Sequence, residues 1–414
     1  MMGALWVTTF FLGVLGDVMS GVVRYYTSAM GVPQAIYLPK AMMAICIALI
    51  VVQRPKVTHL FVAMYLAMQA CVSMTNGIGI SAVAFWAWTV LPLFFALSAP
   101  PEAIDILNRP RARVSAVLVL LICVAGVMIN YFGLLSPAPW IGASTMVGDT
   151  AVHVSDANFV GTTPRLPGFG RDSAATGLML GLLATWLVPR CRTMIAALLL
   201  LGIAGFAIWA TTNKTSLVAV VIVLGVARFC QLRNLRKATI FAAAGALLIP
   251  LAAYVITSAV NESLIGGGAL SSFQDRFDNT WPLLLHGILR ENMIWFGIGP
   301  GGFGAATSYY QSNFGFNTGY ADNITLWTIA NFGVVGVVIC CLLLSRILFS
   351  SESRDKVAWA MMMFLLISGI TTDIFESVGC LLFFGVAAKA LWLDVGVTRF
   401  QLNPQFRLPF KRIF

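Results

Sequence analysis

The chain has 414 residues, of which 59% are apolar and only 10% charged, and its mean hydropathy is +0.87. This composition excludes an ordinary soluble domain and points to a polytopic membrane protein. The formal charge of +10 invites a nucleic-acid reading that only the placement of the charges can decide.

In chain order, twelve apolar runs read as membrane-spanning helices: 3–20, 35–53, 57–75, 78–98, 114–135, 173–189, 193–211, 215–229, 239–259, 322–345, 357–374 and 377–396. A span needs about 20 mainly apolar residues, and some of these are short. The first run carries Asp17 and lacks a basic leader and a convincing cleavage site, so it is expected to be a retained helix. The run at 215–229 decides the alternation, because without it everything downstream inverts. The expected fold is an all-α polytopic membrane protein, a single integral domain over residues 1–414.

Basic residues set the orientation, since cytoplasmic loops accumulate Lys and Arg. With the N-terminus inside, eighteen Lys and Arg fall on inner connections and the tail, against six outside: Arg24, Arg165, Arg171, Lys214, Arg276 and Arg290. Lys40 and Lys389 lie within spans and are expected to snorkel toward an interface. Both termini are then cytoplasmic, and the net charge, including "RNLRK", reflects topology rather than a nucleic-acid partner. The eight cysteines form no visible disulfide framework or metal-ligand spacing.

Two outer loops are long, 136–172 and 260–321, and long loops more often carry function. The first is rich in Pro and Gly and holds Trp140 and His153. In the second, Trp281, Leu284, Leu285, Ile288 and Leu289 recur at helical spacing, with His286 and Arg290 on the opposite face. A helix lying along the outer membrane surface is expected there. No internal repeat of the transporter kind is visible.

The outer cations run against the topological bias. Arginine presents a planar fork of donors suited to phosphate oxygens and keeps its charge at physiological pH. A lipid-linked diphosphate is a fitting ligand for several of them acting together. "FGIGPGGFG" lacks the Lys-Ser/Thr ending of a nucleotide-binding loop and reads as a tight turn beside a cavity. Asp275 and Asp278 flank Arg276 and read as its salt-bridge partners rather than as metal ligands. Asp322, at the outer mouth of a span, suits either a helix cap or a general base for a sugar hydroxyl. Asp373 and Glu376, in the last outer turn "TTDIFES", can join the same cavity.

Four segments in order, "PRLPGFGRDSAATGL", "ATTNKTSLVAVVIV", "DRFDNTWPLLLHGILRENMIWFGIGPGGF" and "ADNITLWTIANFGVVGVV", resemble the bacterial O-antigen polymerase and O-antigen ligase superfamily, with its Wzy-type and WaaL-type branches. Lys214 stands where the family usually has arginine, and Asp322 where it has histidine. The resemblance covers about residues 160 to 345. It implies a GT-C-like glycosyltransferase of the inner membrane that uses undecaprenyl-diphosphate-linked oligosaccharide as donor and acceptor, with no cofactor and no metal, and that leaves room for a chain-length regulator.

Carried over by position, Arg165 and Arg276 are expected to bind the diphosphate and Asp322 to act in catalysis. Arg171, Lys214, Arg290, Asn323 and His286 are expected to support the substrate. Aspartate in place of histidine favours the polymerase over the ligase, which passes the glycan to a lipid A core. A lipid-linked-sugar flippase or transporter is the alternative from a different class.

Overall fold

The computed structural model describes residues 2–135, 138–147, 150–155, 159–160, 163–257, 271–310, 314–350 and 353–400. Parts of both long outer loops and the basic tail, on which some of the expectations above rest, lie outside the described residues. Sixteen helices are described: α1 Met2–Val18, α2 Ser20–Ala29, α3 Leu38–Gln53, α4 Val57–Thr75, α5 Ile80–Leu97, α6 Pro101–Leu107, α7 Pro110–Tyr131, α8 Ser173–Leu187, α9 Met194–Ala210, α10 Lys214–Phe229, α11 Leu232–Thr257, α12 Ser271–Asp275, α13 Trp281–Arg290, α14 Ile324–Ser350, α15 Lys356–Ser368 and α16 Val378–Phe400. The first long loop adds two short antiparallel pairs, β1 Ser144–Val147 with β2 Thr150–His153, and β3 Phe159–Val160 with β4 Thr163–Pro164.

Each of the twelve apolar runs is helical, the form in which one segment satisfies its own backbone away from water. Among the described residues six helices are long and apolar enough to cross a membrane: Pro33–Gln53, α4, α5, α7, α11 and α14. Counting α1 and α2, bent 83° at their junction, as one span makes seven. The hydropathic runs at 173–189 and 357–374 shrink to helices of 15 and 13 residues, α8 and α15. These two are buried along nearly their whole length at the centre of the main core, against Trp186, Phe364 and Phe383. A helix sheathed by protein need not match the bilayer, because the backbone beyond its ends is covered by other helices.

Contacts sort the helix ends into two groups. In one, the backbone N–H of Gly21 donates to Phe169 O (3.0 Å), Asn76 Nδ2 to Ile298 O (2.8 Å), Asn213 Nδ2 to Ala174 O (3.0 Å) and Asn323 Nδ2 to Ile370 O (2.9 Å). In the other, Arg190 Nη2 donates to Asn108 Oδ1 (2.6 Å), Arg54 pairs with Glu102 (3.8 Å) and Lys356 Nζ donates to Cys230 O (3.5 Å). The first group holds the stretches that carry Arg165, Arg171, Lys214 and Arg276. Segments distant in sequence thus meet at one end of the bundle.

Leu326, Ile329, Ala330 and Gly333 recur at helical spacing, yet the helix they lie on is interrupted. Gly333 has φ +65° and ψ −169°, which breaks α14. The freed backbone groups are taken up by the segment after α13: Ile298 N donates to Ala330 O (2.7 Å), Val334 N to Ile294 O (2.8 Å) and Val335 N to Trp295 O (3.2 Å). The glycine-dense turn that follows is wedged against the α4–α5 turn, where Ser73 Oγ donates to Pro300 O (2.9 Å).

The stripe on α13 is also placed differently from the expectation. Trp281, Leu284, Leu285 and Ile288 are buried against α11, α14 and the turn before α14, whereas Leu289 is 40% exposed. The apolar face is therefore taken up by protein.

Candidate active site

Arg276 opens a π turn, Arg276–Thr280, between α12 and α13. Such widened turns redirect side chains and occur often at functional sites. Its Nε and Nη2 both donate to Asp322 Oδ2, at 2.9 and 2.8 Å, and Nη1 donates to Ser272 Oγ (2.8 Å) and Ser272 O (3.2 Å). Both side chains stay partly open, at 22% and 28% exposure. The expectation that Asp275 would pair with Arg276 is corrected, since the guanidinium is taken up by Asp322 and Ser272. Asp275 instead accepts from Asn279 Nδ2 (3.1 Å) and Thr280 Oγ1 (3.5 Å).

Asp322 is not the cap of α14. Asn323 fills that role, its Oδ1 accepting from the N–H groups of Thr325 (2.8 Å) and Leu326 (3.0 Å). Asn323 is fully buried and its Nδ2 bonds to Ile370 O, so its amide is engaged in joining α14 to the α15–α16 turn. Asp322, at φ +51°, is left to face Arg276. That backbone conformation is held by Asp373, whose Oδ2 accepts from the N–H groups of Ala321 (3.3 Å) and Asp322 (3.1 Å) while Oδ1 accepts from Asn323 N (3.1 Å).

Glu376 closes the cluster. Its Oε1 accepts from Ala305 N (2.8 Å) and Trp327 Nε1 (3.3 Å). Gly304, at φ +83°, lets the carboxylate come this close, since a Cβ there would collide with Oε1. Arg171 and Asp322 both lie within electrostatic range of Glu376. A cation of the first long loop and the Arg276–Asp322 pair of the second thus converge on one acidic turn.

Burial pushes the Asp373 carboxyl well above the usual range, with Glu376 and then Asp322 adding to it, while the amides of Asp322 and Ala321 oppose. Burial also pushes Glu376 up, opposed by the Ala305 amide and the Trp327 indole, raised further by Asp322 and lowered by Arg171. The folded state therefore keeps protons that the unfolded chain releases at ordinary carboxylate values near 4, so stability falls as pH rises through that window toward the raised values. The midpoint of thermal unfolding in detergent is expected to fall over this range, and less steeply in Glu376→Gln. Parallel pH profiles for the two proteins would refute the assignment for Glu376.

The remaining expected residues divide. Lys214 begins α10, exposed, beside Thr215, whose hydroxyl lies 2.9 Å from that of Thr371 on the acidic side. Asn213 caps α10 by accepting from Ser216 N (3.0 Å) and ties it to α8 through Ala174 O. Asn213→Ala is expected to cost about 1–2 kcal/mol, from a lost cap and a lost cross-helix bond. A fall in the unfolding midpoint checks this, and an unchanged midpoint excludes it.

Arg165 is half-buried after β4, and its buried Nε has no hydrogen-bond partner among the described residues. Arg290 is turned away from the cluster: its Nη2 and Nε donate to Glu291 Oε1 at 3.1 and 3.2 Å, at the far end of α13. His286 is exposed on α13. Asp373 and Glu376 are the residues whose weight the sequence understated. Their signal was two carboxylates in a short apolar turn, and their partners lie about 50 and 70 residues away.

Two cavities, one of about 280 Å³ lined in part by Met2, Ile50 and Arg54, lie at the opposite end of the bundle, and neither is lined by the cluster. A scan against protein-family models finds no match to the chain, and a search of curated proteins finds none.

Proposed function

We propose that the chain is a membrane glycosyltransferase, a polysaccharide polymerase that joins undecaprenyl-diphosphate-linked oligosaccharide repeats at the periplasmic face of the inner membrane. In this reading the twelve apolar helices alternate across the bilayer, both termini are cytoplasmic and the Arg276 end of the bundle faces the periplasm. One observation carries it: Asp322, held by Asp373 of the acidic turn, orients Arg276, and Arg171 of the first outer loop lies within electrostatic range of Glu376 in the same turn.

Transfer leaves negative charge on the departing diphosphate, and fixed guanidinium groups stabilise that charge where it develops. Arg165, with its unpartnered buried Nε, and Lys214 supply further positive charge at the same end. Aspartate at position 322, where the resembling ligases carry histidine, favours polymerase over ligase.

The test is to incubate the purified protein in nanodiscs with a synthetic lipid-diphosphate-linked repeat. A ladder of stepwise longer glycans is expected. A requirement for lipid A core as acceptor would make the protein a ligase, and movement of the lipid-linked sugar across the bilayer with no new glycosidic bond would make it a flippase.

A further inference from the structure

Three carboxylates meet at this site, and their hydrogen bonds give them different capacities. Asp373 has both oxygens occupied by three backbone N–H groups, so it serves the frame. Asp322 receives two N–H groups of Arg276 on one oxygen, a charge-assisted pair that commits it to aiming the guanidinium. Glu376 is fixed through Oε1 alone, by a backbone amide and an indole, and its Oε2 makes no hydrogen bond among the described residues. It is therefore held in place with one oxygen free, within electrostatic range of Asp322 and Arg171.

Resting on the polymerase reading, we propose that Glu376 is the general base that takes the proton of the acceptor sugar hydroxyl. The acceptor oxygen forms a bond to the anomeric carbon of the donor as the bond from that carbon to the diphosphate oxygen breaks. The hydroxyl proton passes to Oε2 of Glu376, and the diphosphate leaves with its electron pair and its charge held by Arg276 and Arg171. The proton is then released to the outer solution. Asp322 orients Arg276.

The charged groups around Glu376 are few. Its own turn supplies Asp373, the segment before α14 supplies Asp322 with Arg276 behind it, the loop before α8 supplies Arg171, and Asp17 of α1 accepts from Gly379 N (3.0 Å) where the turn enters α16. Of the helices packed on the turn, α5 has no charged residue, Arg346 of α14 lies toward the other end of its helix and Lys389 stands midway along α16.

The experiment compares wild type, Glu376→Gln, Glu376→Asp and Asp322→Asn in nanodiscs, measuring donor binding and the rate of extension as a function of pH. Glutamine keeps an oxygen to accept from Ala305 and Trp327 but cannot take a proton, so extension is expected to fall at least 100-fold, within the range for lost general-base catalysis, with the donor Kd within about twofold of wild type. The wild-type rate is expected to fall on the acid side as Glu376 becomes protonated. Asp322→Asn keeps that acid limb, and Glu376→Asp moves it. An active wild type with a fully active Glu376→Gln, or with the same acid limb in Glu376→Asp, overturns the assignment and leaves the polymerase reading standing. A wild type that binds donor without extending it overturns both.

Discussion

Arg276→Ala is expected to reduce polymer extension about 10²–10³-fold, the range seen when one fixed donor to a developing anion is removed. Two unit charges about 4 Å apart interact by on the order of 4 kcal/mol at an effective dielectric near 20, before desolvation, so a single guanidinium can supply this effect. The geometry adds to it. Arg276 is held on Nη1 by Ser272 and on Nε and Nη2 by Asp322, so little rotamer freedom is left to lose when the diphosphate arrives.

Asp322→Asn leaves the positive charge and loosens its aim, and a smaller loss, about 10-fold, is expected. Arg276→Lys should not rescue, because an ammonium cannot span Ser272, Asp322 and a phosphate as a planar fork does. Since the two residues share one hydrogen-bonded unit, the losses in the double variant should fall short of additive. Full-length polymer from Arg276→Ala present at normal membrane levels would remove the diphosphate role.

The helices were legible because long apolar runs in lipid have few alternatives to a self-satisfied backbone. Asp172, which the sequence reading did not single out, caps α8 by accepting from Ala175 N (2.7 Å), local chemistry of a kind that is legible in a sequence. The one-residue difference between Asp322 and Asn323 as the cap was not, because both side chains fit the role and a buried carbonyl, Ile370 O, selects the amide. That choice places Asp322 in the site.

Glu376 was equally opaque. Its partners, Ala305 and Trp327, reach it only because Gly304 omits a side chain and α14 is broken at Gly333. Hydropathy reports which residues avoid water and carries no information on such close approaches of backbone to backbone. The opposite fates of Arg276 and Arg290 show the same limit. Both are outer arginines on one helical stretch, and the π turn directs one to Asp322 while the other finds its sequence neighbour Glu291.

Gly333→Ala should then be strongly damaging for a single-methyl change. The residue sits at φ +65° with an extended ψ, a region open in practice only to glycine, and a Cβ there would collide with the carbonyl of Trp295. Backbone strain of about 1–3 kcal/mol and overpacking of similar size put the expected loss at roughly 2–6 kcal/mol. The facing Gly297, at φ +77°, has Ala330 O and the N–H groups of Phe332 and Gly333 at 2.7 Å from where its own Cβ would lie, so neither backbone can retreat.

Gly202→Ala in α9 is the control, because nothing lies within 4 Å of its Cβ position and an exposed helical glycine gains about 0.5–1 kcal/mol on that change. Unfolding midpoints in nanodiscs are expected to move in opposite directions for the two variants. Extension should fail with Gly333→Ala even below its midpoint, because the displaced segment runs on to Ala305, whose amide holds Glu376. An unchanged midpoint and an unchanged rate for Gly333→Ala would mean that α14 runs unbroken through position 333, and the contact between the glycine-dense turn and the acidic cluster would lose its footing.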